Sequence, residues 1–236
     1  MDFETFGLLM PEGTDEFTFE AWIYLTTPPN RDTHPLVLSQ QVRMYVWNHG
    51  HLGLRLMSAT HLHRLRGVAF GMLPPFSLSV NQWHHIAFQA EGVESMLIVN
   101  DVVRISGGRT ILAADLSHAK HPRDFTIGGF GEKIASDWHG GHFWGHFEGY
   151  IDEVRISTVA RYNIGKRGFT PRTKFENDAE TVALWHFDEP SGTREFSDTS
   201  GNAYHLMGKN GARTDGEFAA VEAEGKLATL WGRLKE

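Results

Sequence analysis

A strict two-residue alternation near the N-terminus constrains the fold of this chain more than any other pattern. Between Phe17 and Leu25 the apolar residues occupy the odd positions, whereas the even positions hold Thr18, Glu20 and two aromatic residues. Successive side chains of a β-strand point to opposite faces of its sheet. The alternation therefore predicts a strand with one buried face.

Short β-rich runs recur after this strand, and glycine, proline and asparagine punctuate them. The runs are 36–40, 42–47, 51–57, 83–90, 96–100, 125–127, 147–156 and 182–187. No long helical periodicity interrupts them before the C-terminal tail. The pattern predicts an all-β, two-sheet antiparallel sandwich rather than alternating strands and helices.

The composition fits a domain with a large aromatic core. Hydrophobic residues make up 41% of the 236 residues and include 16 Phe, 7 Trp and 5 Tyr, so folding requires neither disulfides nor a metal. There is no cysteine, which excludes thiol chemistry. The net charge of −7 and the lack of a Lys/Arg block argue against nucleic acid as a partner. The sequence also predicts no membrane span and no signal peptide in the chain as given.

Three segments together resemble the signature strands of one family: 17–22 (FTFEAW), 83–87 (WHHIA) and 149–156 (GYIDEVRI). The chain is similar to the LamG-like jelly-roll domains of the concanavalin A-like lectin and glucanase superfamily. The resemblance covers about residues 17–206 and implies the same two-sheet sandwich. Because this sandwich serves lectins, glycosidases and adhesion modules, the resemblance constrains fold more than function.

A motif of the family's opening strand occurs near the C-terminal end of this chain. Residues 183–189 (ALWHFDE) and 198–205 (DTSGNAYH) resemble that opening. Either the domain is permuted and its last strands close its own sheet, or a following repeat begins here. We favour the first interpretation, because Trp185 and Phe187 would otherwise lie on a bare sheet edge.

We therefore predict one sandwich over residues 1–212, with the opening-strand motif at 182–206, and a tail over residues 213–236. In the tail, four apolar residues have the spacing of a short helix that docks on the sandwich or binds a partner. They are Leu227, Leu230, Trp231 and Leu234.

An aspartate turn and a strand aspartate indicate a cation site. Asp198 and Asn202 begin and end a turn that offers the oxygen ligands preferred by calcium. Asp152 shares its predicted strand face with Val154 and Ile156, where a carboxylate needs a hydrogen bond or an ion. The resemblance implies a structural Ca²⁺ held by Asp198 and Asn202, and more weakly by Asp152. The alternative is an Asx-turn at Asp198 and backbone N–H bonds to Asp152, without an ion.

A glycine-rich stretch over residues 136–146 is the candidate ligand-binding loop. Indole rings with glycine neighbours can stack on sugar rings, and histidines can supply directional hydrogen bonds. The candidates are Trp138, His139, His142, Trp144 and His146. The 14 histidines also permit a transition-metal site, but none of their spacings matches a zinc motif, and half-exposed histidines bonded to backbone or solvent are commoner.

The residues favour binding over catalysis. Hydrolases that resemble the laminarinases carry three acids on one strand, and the nearest analogue, residues 148–153, has Tyr150 in place of the middle acid. No nucleophile elbow or phosphate-binding loop occurs, and we name no catalytic residue. We predict a non-catalytic, extracellular or cell-surface module of a bacterial secreted protein that binds a glycan. The alternatives are a glycoside hydrolase or polysaccharide lyase of the same superfamily, and a structural or protein-binding domain of a multidomain surface protein.

Replacing Trp144 by alanine tests the loop. We expect loss of ligand binding with a stability change within about 0.5 kcal/mol, because an exposed ring has little core contact to lose. A thermal melt alongside a binding assay measures both effects. A cost of about 3–5 kcal/mol would show instead that the ring belongs to the core.

Overall fold

The computed structural model describes residues 16–28, 34–38, 42–47, 51–56, 78–91, 94–107, 126–129, 147–163 and 170–216. Regular secondary structure within these ranges is entirely β, which confirms the predicted all-β class. The predicted helix over 227–234 lies outside the described residues. No helix in the described ranges is long and apolar enough to cross a membrane.

Two antiparallel sheets form the sandwich. The strands are β1 (Glu16–Leu25), β2 (His34–Leu38), β3 (Val42–Trp47), β4 (His51–Leu56), β5 (Trp83–Glu91), β6 (Glu94–Val99), β7 (Val102–Gly107), β8 (Thr126–Ile127), β9 (Gly149–Ser157), β10 (Thr181–Trp185), β11 (Glu195–Phe196) and β12 (Leu206–Met207). One sheet has six strands in the order β10, β9, β1, β5, β6, β7, and the other has four in the order β4, β3, β2, β8. The strands β11 and β12 form a separate antiparallel pair.

The odd residues of β1 lie in the core, as the alternation predicts. They are Phe17, Phe19, Ala21, Ile23 and Leu25, and each is at most 5% exposed. Val46 of β3 and Ile127 of β8 belong to the same apolar cluster. The two sheets therefore face each other across this cluster, and the opposite side of the six-stranded sheet is its outer face.

The outer face is also buried along much of β1, which the sequence did not predict. Thr18 and Glu20 have no exposed surface. Residues 158–163 and 170–176, which we call the covering segment, lie over them. Gln89 Nε2 donates to the carbonyl of Tyr162 at 2.7 Å, and its Oε1 accepts the N–H of Tyr162 at 2.7 Å. These two hydrogen bonds, between the side chain of Gln89 and the backbone of Tyr162, hold the covering segment against β5.

Glu20 is a buried carboxylate that binds three surrounding side chains. Its Oε1 accepts hydrogen bonds from Arg155 Nε at 2.7 Å and Nη2 at 2.6 Å. Its Oε2 accepts the hydroxyl of Tyr162 and lies 3.5 Å from His85 Nε2. Burial by itself would raise the pKa of Glu20, but the hydrogen bond with His85 and the charge of Arg155 outweigh it and lower that pKa. The carboxylate is therefore charged at neutral pH.

A β-bulge in β9 changes the face on which Asp152 lies. Glu153 has a φ of 49°, a left-handed conformation that occurs in bulges, and the register between β1 and β9 shifts there. Asp152 pairs with Trp22 and lies with it on the outer face, whereas Val154 and Ile156 lie in the core. The prediction that Asp152 shares a face with Val154 and Ile156 is therefore wrong. The bulge inserts one residue and reverses the alternation.

The last long strand pairs with the sheet of its own domain. β10 lies beside β9, with Leu184 opposite Arg155, and Trp185 has no exposed surface. The Trp185 indole N–H also donates to the carbonyl of Tyr204 at 2.8 Å. This is the pairing expected if the C-terminal motif closes its own sheet, while the boundaries at 212 and 213 stay predictions.

Replacing Trp185 by alanine tests the contribution of β10. We expect the free energy of unfolding to fall by about 3–5 kcal/mol, because a fully buried indole leaves a cavity. Urea denaturation of the purified chain measures the change. Met207→Ala is the control, because Met207 is 52% exposed and should change stability by no more than about 0.5 kcal/mol. Equal, small effects in both variants would contradict the packing of β10.

Candidate functional site

The predicted ligand-binding loop lies outside the described residues. Trp138, His139, His142, Trp144 and His146 all fall between 130 and 146, where the structure describes no residue. Their role stays a prediction.

Asp198 is held by hydrogen bonds to its own turn and to β10. Its Oδ1 accepts the N–H of Leu184 and of Ser200, both at 2.9 Å. Its Oδ2 accepts the Ser200 hydroxyl at 2.7 Å and the N–H of Tyr204 at 3.0 Å. The bond to Ser200 two residues ahead is an Asx-turn, the alternative considered from the sequence. The four donors use the four lone-pair positions of the carboxylate.

The other two predicted calcium ligands also make hydrogen bonds within the protein, but that of Asn202 uses its amide nitrogen rather than the oxygen that would bind a cation. Asn202 Nδ2 donates to the carbonyl of Val182 at 2.9 Å. Asp152 is 6% exposed, and its Oδ1 accepts the N–H of Glu153 at 2.9 Å. With Asp198 saturated by donors, the described geometry fits hydrogen bonding better than direct ligation of a cation. Calcium binding stays a prediction from the sequence.

Glu153, His186 and Asp188 form a second cluster that the sequence did not predict. Their possible ligand atoms lie within 4.8 Å of one another. Glu153 Oε1 is 2.8 Å from His186 Nδ1, and its Oε2 accepts the N–H of Phe175 at 2.7 Å. Asp188 Oδ2 is bound by the ammonium of Lys174 at 2.5 Å. Polar groups of the protein already contact these oxygens, and no local sequence signal could indicate a cluster that depends on the pairing of β9 with β10.

Three aromatic side chains form a row across the end of the outer face, which we call the aromatic row. Tyr24 of β1 is directly opposite Trp83 of β5 on one side and Tyr150 of β9 on the other. The ring centroids are 5.6 Å apart for Tyr24 and Trp83 and 5.9 Å apart for Tyr24 and Tyr150, both edge-to-face. All three residues are half-buried. They present partly exposed rings side by side on three adjacent strands.

The backbone at the row depends on a glycine. A Cβ at Gly149 would lie 1.9 Å from the carbonyl oxygen of Tyr24, so only glycine lets β9 approach β1 at this point. The Tyr150 hydroxyl is hydrogen-bonded to the Asp215 carboxylate, and burial together with that carboxylate raises the pKa of Tyr150. The hydroxyl is therefore protonated at neutral pH and ties the row to the C-terminal described residues.

A polar cleft of about 290 Å³ lies at the opposite end of the outer face. Glu16 and Glu91 face each other there, and Ala160, Tyr162 and Asn163 complete its lining. The Tyr162 hydroxyl is already bound to Glu20. The cleft therefore offers carboxylates rather than a set of ring faces, and the aromatic row is the better surface for stacking.

Melting curves with and without calcium test the turn at Asp198. We expect Asp198→Asn to lower the melting temperature, because an amide Nδ2 would face N–H donors in place of an acceptor. We expect the loss to be the same in excess calcium and in excess chelator, since the described donors saturate the carboxylate. A wild-type melting temperature that rises with calcium, and does so less in Asp198→Asn, would instead support the predicted ion.

Comparison with known proteins agrees with this architecture. Among solved structures, a putative carbohydrate-binding protein from Bacteroides ovatus is similar with a TM-score of 0.51 and 17% identity, over 84% of this chain and 54% of that one. This chain thus spans about half the length of that protein. At this identity the likeness concerns the fold.

Two further structures are less similar. Domain 4 of AbnA, an extracellular arabinanase from Geobacillus stearothermophilus, has a TM-score of 0.38 and 17% identity, over 60% of each chain. A heptameric pentraxin from Limulus polyphemus has a TM-score of 0.38 and 14% identity, over 84% of this chain and 86% of that one.

No curated protein matches the chain significantly. A laminin G family model described as the concanavalin A-like lectin/glucanases superfamily matches residues 5–162. That range covers more than half of the sequence and contains the signature strands β1, β5 and β9. This chain belongs to the concanavalin A-like lectin/glucanase superfamily.

Proposed function

We propose that this domain is a non-catalytic carbohydrate-binding module that stacks sugar rings on the aromatic row. The observation that carries the proposal is the row itself, in which Trp83, Tyr24 and Tyr150 stand side by side and partly exposed. Aromatic rings bind the apolar faces of sugars, and neighbouring polar groups orient them. The family and the fold of the Bacteroides protein are consistent with this function.

The strand spacing suits an extended ligand. Adjacent strands lie about 4.8 Å apart, so the backbones that carry the three rings follow one another at about this spacing across the sheet. A glycan lying across β5, β1 and β9 would contact the three rings in succession, with the Tyr24 ring inclined at 67° to that of Trp83 and at 73° to that of Tyr150. The predicted loop of Trp138 and Trp144 precedes β9 in sequence, ending at His146, four residues before Tyr150. We include that loop in the proposal as a second source of stacking rings.

The carboxylates of residues 148–153, the segment nearest to the catalytic strand of the laminarinase-like hydrolases, support binding more than hydrolysis. Glu148, which immediately precedes β9, and Asp152 of β9 are four residues apart, so their Cα atoms are about 13 Å apart along the extended chain. Retaining glycosidases hold their two carboxyl groups about 5–5.5 Å apart, and inverting ones about 6.5–9.5 Å. Glu153, the third acid of this segment, is buried and bound to His186 and to Phe175 N–H.

An extracellular or cell-surface location belongs to the same proposal, because glycans are exposed there, and we also propose a bacterial source. The protein-binding alternative predicts a different outcome on a glycan array. A domain of that kind would bind no glycan, and its aromatic row would instead be covered by a partner protein.

A glycan array followed by titration of the best ligand tests the proposal. We expect Tyr24→Ala to lower the affinity by about tenfold or more, because truncating an aromatic residue at the centre of a binding surface typically costs more than about 1 kcal/mol. Tyr24→Phe keeps the ring and should retain binding. Tyr204→Ala is the matched control, since Tyr204 is a half-buried tyrosine outside the row. The affinity of this variant for the glycan should stay within about twofold of the wild-type value.

Two outcomes would contradict the proposal at different points. A folded wild-type domain that binds no glycan on the array would reject carbohydrate binding. Binding that survives in a folded Tyr24→Ala variant would place the ligand on another surface, and Trp144→Ala would then decide whether that surface is the predicted loop. Melting curves of every variant show whether it is folded.

A further inference from the structure

The rim of the aromatic row carries negative charge. Glu148 precedes Gly149 at the start of β9 and is exposed, and Asp215 is exposed beside the hydroxyl of Tyr150. Glu148 is fixed in place, because its Oε2 accepts the Thr27 hydroxyl at 2.6 Å and its carbonyl accepts the Thr26 N–H at 3.2 Å. Asp215 therefore bonds Tyr150 directly, and Glu148 is held two residues before Tyr150 at the same end of the sheet.

Two cations of the covering segment, Arg172 and Lys174, do not offset this charge. The carbonyl of Arg172 accepts the Trp22 indole N–H at 2.9 Å, which places this part of the chain on the outer face beside the row. The guanidinium of Arg172 is paired with Glu176, and the ammonium of Lys174 is paired with Asp188. Each already has a carboxylate partner, so these two side chains add no net positive charge beside the row.

From the acidic rim we infer that the aromatic row, if it binds sugars as proposed above, selects uncharged glycans and discriminates against glycans built from uronic or sialic acids. The inference rests on the proposed function and adds the ligand class. Rings recognise the apolar faces that neutral and acidic sugars share, so they cannot by themselves separate the two. The carboxylates can, because a like charge placed beside Glu148 or Asp215 is repelled.

The size of this discrimination follows from the exposure of the rim. Two like charges a few ångströms apart repel each other in water, and more strongly near a protein surface. A uronate beside one of these exposed carboxylates should therefore bind about tenfold more weakly than its neutral counterpart at low salt. Screening should narrow the difference as salt rises, whereas binding of the neutral glycan should change little.

Titration of matched oligosaccharides tests the inference. The probes are a neutral tetrasaccharide identified by the array, a uronate tetrasaccharide of similar linkage, and a cationic chitosan tetramer, each in low and in high salt. The variants are Glu148→Gln, Asp215→Asn and their combination. We expect the double variant to reduce the preference for the neutral over the uronate probe from about tenfold to within about threefold.

Glu180→Gln is the matched charge control. Glu180 is an exposed carboxylate at the other end of β9, where its backbone carbonyl accepts the Thr158 N–H at 3.0 Å. This variant removes the same charge far from the row, so it should leave the preference unchanged. An equal change in Glu180→Gln and in the double variant would show that net charge, rather than the rim, sets the preference.

The outcomes separate this inference from the proposed function. Equal wild-type affinity for the neutral and the uronate probe overturns the inference while carbohydrate binding stands. Binding of the chitosan tetramer only, lost in the double variant, also overturns it, because the carboxylates rather than the rings would then be the recognition element. Failure of all three probes to bind overturns the proposed function and the inference with it.

Discussion

The carboxylate of Glu20 lies without solvent exposure between the six-stranded sheet and the covering segment, and the outer face depends on its bonds. Arg155 binds it along the sheet, and Tyr162 binds it from the covering segment. A buried charge that loses its partner costs about 3–5 kcal/mol, so the covering segment and the sheet stabilise each other through this one group. Arg155 also lies 4.9 Å from the centre of the Phe175 ring, which extends the contact along the segment.

This arrangement decides which part of the outer face stays accessible. Going along β1, the outer side chains change from Thr18 and Glu20, which are fully buried, to Trp22 and Tyr24, which are half-buried. The covering segment accounts for the change, because its last described contact with β1 is the bond from the Trp22 indole to Arg172. Beyond that bond the face carries the aromatic row, with the carboxylates of Glu148 and Asp215 at its rim. The candidate site is the part of the sheet that the segment leaves uncovered.

Local pattern predicted the parts of the structure that depend on neighbouring residues. The alternation in β1 gave the correct core face, and the turn residues between short apolar runs gave most of the strands. The alternation predicted the wrong face for Asp152, because a bulge at Glu153 interrupts the two-residue period. No residue type at that position indicates a bulge. The alternation also could not show that Thr18 and Glu20 are covered, since the residues that cover them lie about 140 positions later in the chain.

The aromatic row also depends on a pairing between strands that the local sequence does not reveal. Each of its residues belongs to a strand that the sequence predicts, and Tyr24 stands at an even position of the alternation, which already places it away from the core. What the sequence lacks is the register that sets Trp83 and Tyr150 opposite it. Register comes from the pairing of β1 with β5 and β9, and the absence of a side chain at Gly149 allows the second pairing to continue to the end of the strand. A binding surface assembled from three strands is therefore a property of the sheet, and only its individual rings can be read from the chain.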